Sequence, residues 1–230
     1  MLDDLKYIHT RDHQDALGVA ERQYLQLTHE FELAEVGQGF RDIVFAGMGG
    51  SALAGLLSKS WPGYKIPFEL VRDYHIPAYV SPDTLFIACS YSGNTEETLM
   101  AFGEALEKKA QIVCICSGGK LAELANQHHI DCLLIPLGKP PRDCLGFSMV
   151  QILYVLQYFQ VIKDDFISEI KTAISFLEQE ANEIEVAAKE LAAPLSGKLP
   201  VIYADQQISS IATRWRQQIN ENAKMLGWER

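Results

Sequence analysis

Short apolar runs that alternate with helix-like segments limit what this chain can fold into more than any other feature. The runs are Asp42-Ile-Val-Phe-Ala, Pro67-Phe-Glu-Leu-Val, Thr84-Leu-Phe-Ile-Ala-Cys, Gln111-Ile-Val-Cys-Ile-Cys and Asp131-Cys-Leu-Leu-Ile, the last preceding a loop at Pro140-Pro141. Helical patterns follow the first run from Ala52 to Leu57, the third from Glu96 to Lys109 and the fourth from Lys120 to His128. Unbroken apolar strands with helices between them imply an α/β fold, a parallel sheet covered on both faces in three layers of flavodoxin-like type. Ligands of such sheets bind outside the carboxyl ends of the strands, so the loops at 46–51, 90–95 and 117–120 are the ones to inspect.

On either side of this core the pattern is helical. Residues 3 to 36 have helix-like spacing, with Leu17, Tyr24, Leu25, Leu27, Phe31 and Leu33 available for a buried stripe, and predict a helical lead-in. Phe147 to Ile162 is interrupted by Gln151, Gln157 and Gln160, too short and too polar to span a membrane, and reads as a buried helix. Phe166 to Leu191 reads as an acidic amphipathic stretch, with a break expected after Pro194. Leu199-Pro-Val-Ile-Tyr-Ala then predicts a new first strand and Ile208 to Lys224 a helix, too little to bury a core of its own.

Composition narrows the partners. The chain has 230 residues, 48% of them hydrophobic, and twenty Lys plus Arg against thirty Asp plus Glu give a net charge of −10. That balance supplies no basic field for nucleic acid or a membrane surface, so an anionic ligand needs a local pocket. The N-terminus is acidic and lacks an apolar signal region, which predicts a cytoplasmic address. Cys89, Cys114 and Cys132 sit within apolar runs, where thiols act as small hydrophobes, and the Cys114-Ile-Cys116 spacing is not a zinc knuckle; no metal is expected.

Two loops carry chemistry. Gly47-Met-Gly-Gly-Ser51 offers backbone N–H groups at a helix N-terminus, an anion site by its nature. It is equally a fair G-x-G-x-x-A dinucleotide fingerprint (Gly47, Gly49, Ala52), with Glu69 or Asp73 at a suitable distance for a ribose. The second loop, Ser90-Tyr-Ser-Gly-Asn-Thr-Glu-Glu, can aim the hydroxyls of Ser90, Ser92 and Thr95, with the N–H groups of Gly93 and Asn94, at one tetrahedral group. A capping box of Asn94 with Glu97 explains Asn94 but not the three hydroxyls together. The pair of loops favours a small phosphorylated ligand over a dinucleotide.

These two loops resemble the phosphosugar-binding loops of sugar isomerase (SIS) domains, and more narrowly those of the bifunctional phosphoglucose/phosphomannose isomerases. Pro140-Pro-Arg-Asp-Cys-Leu-Gly-Phe resembles that family's proline-arginine loop, and Arg214-Trp-Arg-Gln-Gln-Ile-Asn-Glu-Asn-Ala-Lys224 its glutamate-bearing helix at the start of a second SIS domain. The resemblance implies a helical lead-in over residues 1–39, a first SIS domain over 40–145, a connector over 146–196 and part of a second SIS domain over 197–230. It implies that Gly49, Gly50, Ser51, Ser90, Ser92 and Thr95 hold a sugar phosphate, that Arg142 stands over a developing enediolate and that Glu221 moves a proton between C1 and C2.

The activity implied is interconversion of fructose 6-phosphate with glucose 6-phosphate and mannose 6-phosphate, without cofactor, in a homodimer. The family also places a histidine for ring opening beyond the glutamate helix and a lysine near the end of the second domain. Neither position exists here, so the chain reads as stopping within that domain. His75, at a strand exit, is the one stand-in for the histidine that the sequence offers. Two other readings stay open, a sugar-phosphate-binding module without catalysis and an NAD-dependent enzyme built on Gly47 to Ala52.

Overall fold

The computed structural model describes residues 4–31, 39–163 and 165–230. It has two compact units, one of residues His29–Phe166 and one of the chain up to Thr28 together with Ile167–Arg230.

The lead-in is not one helix. It consists of α1 (Leu5–His9), α2 (Ala16–Glu21) and a 3-10 turn at Gln23–Thr28. Aspartate side chains start α1 and α2 separately. Asp4 accepts the Tyr7 N–H at 3.0 Å, and Asp12 accepts those of Ala16 and Leu17 at 2.8 and 2.9 Å, so side chains satisfy donors that a continuous helix would pair internally. Leu17 and Leu25 of the expected stripe are 44% and 45% exposed, and Leu33 lies outside the described residues.

The His29–Phe166 unit holds the predicted sheet. Its elements are β1 (Asp42–Gly47), α3 (Gly49–Ser60), β2 (Phe68–Val71), β3 (Thr84–Ser90), α4 (Glu96–Glu107), β4 (Gln111–Cys116), α5 (Gly119–Gln127), β5 (Cys132–Leu134) and α6 (Leu145–Tyr158). All strand pairs are parallel, in the order β2-β1-β3-β4-β5. Every residue of β1 and β3 is buried.

The period-2 alternation of strands divides these residues between two faces. Val44, Ala46, Phe86, Ala88, Ile112, Cys114 and Cys116 pack with Ala101, Phe102 and Ala105 of α4 and with Leu121 and Ala125 of α5. Phe45 points the other way, against Gly55 of α3, and α3 packs in turn on α6. The chain reverses its direction of winding between β1 and β3. In open α/β sheets the ligand crevice lies outside the carboxyl ends of the strands at such a switch point.

The other unit contains α7 (Asp165–Gln179), α8 (Ala181–Leu195), β6 (Val201–Ile202), α9 (Ser209–Gln218) and β7 (Trp228–Glu229), α7 beginning two residues before the unit boundary. The acidic stretch is thus two helices that meet at Glu180, where no breaker residue marks the sequence. α8 runs one residue past Pro194, and Ser196 N–H bonds back to Ala192 O at 3.2 Å. After α9 a π turn spans Ile219–Ala223 and ends at Lys224 in the left-handed region. The chain then returns to pair β7 parallel with β6, Val201 opposite Trp228. Apolar side chains here are open to solvent, Tyr203 at 74%, Leu226 at 76% and Trp228 at 64%. Among the described residues no helix is long and apolar enough to cross a membrane.

Candidate functional site

The site of the His29–Phe166 unit lies at the β1/β3 switch point, where two helices begin. α3 and α4 both lack a side chain capping the first turn. The positive ends of both helix dipoles therefore face the crevice, and Glu96 and Glu97 only partly offset that of α4. Gly49, with φ +51°, makes the turn from β1 into α3.

Ser51 joins the two loops. It is 8% exposed, and its hydroxyl accepts the Tyr91 N–H at 3.1 Å. Ser90 is fully buried, its Oγ 2.8 Å from Thr95 Oγ1. It therefore orients Thr95, whose side chain is half-buried at the head of α4. Ser92 is exposed and accepts the Asn94 N–H at 3.2 Å. Asn94 does not cap α4. Its amide donates to Ser92 O at 3.0 Å and accepts the Lys120 N–H at 3.1 Å, and the N-cap position belongs to Thr95. The capping-box reading of the loop is thus replaced by a loop-to-loop brace.

The 117–120 loop is the other half of that brace. Gly93, with φ +68°, and Gly119, with φ +70°, lie so close that a Cβ on the first would sit 1.8 Å from Gly118 O and one on the second 2.4 Å from Ser92 O. Leu121 N–H bonds to Gly93 O at 2.9 Å. The loop therefore supports the hydroxyl loop from behind.

Arg142 reaches the same edge of the sheet. It lies in a 3-10 turn, Pro141–Asp143, and the backbone of Pro141 and Arg142 borders Gly50, where an added Cβ would meet Pro141 O at 3.6 Å and Arg142 Cα at 3.9 Å. Gly50, Ser51, Ser90, Ser92, Thr95 and Arg142 are thus neighbours in one unit, with Gly49 at the turn. Glu221 belongs to the other unit, exposed on the π turn, where its carbonyl accepts from Lys224 Nζ at 2.6 Å. His75 is tied by its Nδ1 to Glu104 of α4 at 2.6 Å. That carboxylate raises the imidazole pKa, first through the hydrogen bond and then through its charge.

Burial raises the thiol of Cys89 to about 12, opposed by the Ser51 hydroxyl. Cys116 and Cys132 lie 3.4 Å apart, and the hydrogen bond from Cys132 lowers the Cys116 thiol. No cluster of three or more His, Cys, Asp or Glu side chains with metal-site geometry occurs among the described residues. Sequence reasoning missed Tyr91, which bonds to three neighbouring segments. Its signal was its place inside the hydroxyl loop, where a large residue between two serines has to pack somewhere.

Residues 40–136 match the SIS domain family. Residues 184–230 match the bacterial phospho-glucose isomerase C-terminal SIS domain. Among solved structures, the C-terminal domain of glucosamine-fructose-6-phosphate aminotransferase from Francisella tularensis has a TM-score of 0.62 at 16% identity, covering 92% of this chain and 60% of that one. At that identity the likeness is one of fold. Fold and site together define a SIS-domain protein.

The nearer resemblances are by sequence. The chain is 42% identical over 191 residues to the bifunctional phosphoglucose/phosphomannose isomerase of Caldicellulosiruptor bescii, covering 79% of this chain and 56% of that protein. It is 36% identical over 214 residues to the protein of the same name from Aquifex aeolicus, covering 92% and 64%. Over most of its length the chain is thus similar to bifunctional phosphoglucose/phosphomannose isomerases. It spans less than two thirds of the length of these relatives.

Proposed function

We propose that this chain is a phosphosugar aldose–ketose isomerase that interconverts fructose 6-phosphate with glucose 6-phosphate and mannose 6-phosphate. The observation that carries the reading is the convergence of two helix N-termini without side-chain caps, the Ser51, Ser92 and Thr95 hydroxyls and the Arg142 turn on one crevice. Such a nest suits a phosphate monoester, with backbone N–H groups of the glycine turn and hydroxyls as donors. Ser90 contributes from below by fixing Thr95.

In this reading Glu221 removes the C1 proton of the open-chain ketose, and electrons move into the carbonyl to leave an enediolate. The Arg142 guanidinium stands beside the new oxyanion as a fixed cation. The carboxylic acid of Glu221 then returns the proton to C2 while the O1 hydroxyl proton passes to O2 and C1=O forms, and the face that Glu221 reaches decides between the two aldoses. A homodimer is the assembly we propose, its driving force the exposed apolar side chains around β6, α9 and β7. Light scattering at high concentration tests this, and a clean monomer refutes it.

Proton NMR of fructose 6-phosphate in deuterated buffer tests the chemistry. The expected result is deuterium entry at C1 with aldose signals, both abolished in Glu221→Gln. Sugar-phosphate binding without exchange would overturn the isomerase reading in favour of a binding module. NAD binding that sugar phosphates fail to displace would favour the dinucleotide reading of Gly47 to Ala52.

A further inference from the structure

We propose that Tyr91 is the positioning residue of this site, its phenol clasping the segment that leads into Arg142 and so holding the guanidinium turn over the phosphate-binding loops. The inference rests on the isomerase reading above and assigns a role to a residue outside the phosphate nest.

The hydroxyl of Tyr91 donates to Pro136 O at 3.2 Å and accepts the Lys139 N–H at 3.4 Å. Pro136 and Lys139 precede Arg142 in the chain. Between Lys139 and Arg142, Pro140 and Pro141 restrict the backbone, and the turn closes through Asp143 N–H to Pro140 O at 2.9 Å and Cys144 N–H to Pro141 O at 3.2 Å. One oxygen thus fastens the N-terminal end of a stiff segment that carries the cation.

The backbone of the same residue is fastened to the nest. Tyr91 N–H donates to Ser51 Oγ at 3.1 Å, and Tyr91 O accepts the Ser117 N–H at 2.9 Å together with the Ser117 hydroxyl. Main chain and side chain of Tyr91 therefore connect the glycine turn, the brace loop and the arginine turn through a single residue. Burial raises the phenol pKa to about 12, so it stays a neutral donor throughout the working range of an enzyme.

Removing only the hydroxyl separates positioning from folding. Pro136 and Lys139 are exposed, so their backbone groups can turn to water in Tyr91→Phe, and the ring still fills its place. What is lost is the fixed placement of Arg142, and a displacement on the order of 1 Å at a catalytic group costs about a hundredfold in rate.

The experiment compares wild type, Tyr91→Phe, Arg142→Ala and the double variant by deuterium entry at C1 of fructose 6-phosphate, with affinity for inorganic phosphate and amide hydrogen exchange alongside. In Tyr91→Phe we expect kcat to fall by about 10- to 100-fold, phosphate affinity to stay unchanged and amides 136–144 alone to exchange faster. In the Arg142→Ala background the same substitution should have no further effect on the rate. An unchanged kcat in Tyr91→Phe, an equal loss in both backgrounds, or a matching loss of phosphate affinity overturns the proposal. Absence of exchange in the wild type instead overturns the isomerase reading, and amide protection of 136–144 then decides the tether alone, unchanged protection refuting it.

Discussion

Gly93→Ala is the substitution whose outcome the structure determines most tightly. The residue has φ +68°, and an added Cβ would lie 1.8 Å from Gly118 O, where ordinary contact begins at 3.4 Å. The left-handed conformation alone costs a non-glycine residue about 1–2 kcal/mol. The clash is with backbone, so one loop must move. That movement weakens the bonds from Gly93 N–H to Ser90 O and from Leu121 N–H to Gly93 O, both 2.9 Å long, at about 1 kcal/mol each. Together these losses amount to about 3–4 kcal/mol, which lowers the melting temperature by roughly 6–15 °C in a chain of this size.

Gly103→Ala is the matched control. Gly103 lies inside α4, a Cβ added there would have no atom within 4 Å, and the variant should gain about 0.5–1 kcal/mol through helix propensity. Thermal melts of the two variants therefore shift in opposite directions. Because the displaced loop carries Ser92 and Thr95, isothermal titration of Gly93→Ala with fructose 6-phosphate should also show weaker binding. A melt within a degree of wild type, with unchanged affinity, would refute the argument that the 90–95 and 117–120 loops are locked by this contact.

Three further outcomes are expected. Ser92→Ala combined with Thr95→Ala should weaken sugar-phosphate binding by at least about tenfold, since a hydrogen bond to a charged group contributes about 1.5–3 kcal/mol; titration calorimetry with an unchanged Kd would remove both from the site. Gln151→Met should stabilise the protein by about 1–3 kcal/mol in urea unfolding, because both polar atoms of this fully buried amide lack a hydrogen-bond partner, and a destabilised variant would mean the amide is satisfied after all. NMR titration of His75 should give a midpoint above 6.5 that falls back in Glu104→Gln. The sign follows from linkage: the raised His75 pKa contributes stability that is complete below the unfolded-state value and lost as pH rises through the folded one, whereas the lowered Glu104 pKa contributes stability above its unfolded value and loses it in acid. An identical midpoint in both proteins would show that the ion pair is not formed in solution.

What was legible in the sequence divides along physical lines. The strands β1, β3 and β4 are buried on both faces, so their apolar runs carry the sheet in one dimension, and the loops at their carboxyl ends follow from the parallel topology. The glycines and hydroxyls of the two loops stood out because each set lies within one short run of sequence. The lead-in misled because helix periodicity is blind to Asp4 and Asp12 competing for backbone donors, and two-residue strands such as β7 have no period to detect. The division at Glu180 left the apolar spacing intact on both sides and was invisible for that reason.

Asn94 and Tyr91 show where one-dimensional reading stops. Asn94 followed by Glu97 satisfies the local pattern of a cap, yet the amide bonds to Lys120 N–H, whose strand-to-helix loop is adjacent only because β4 lies beside β3. Tyr91 likewise meets Pro136 and Lys139 only after β5 has added to the sheet edge. A residue whose partners are all supplied by strand order has no motif of its own. This is why the glycine loop and the hydroxyl loop, each a contiguous run of residues, stood out in the sequence, whereas the bonds from Tyr91 to the 136–139 segment had to be read from the fold. If Tyr91→Phe and Arg142→Ala prove non-additive, the sheet order itself, through the registers of β3 with β4 and of β4 with β5, is what sets the placement of Arg142.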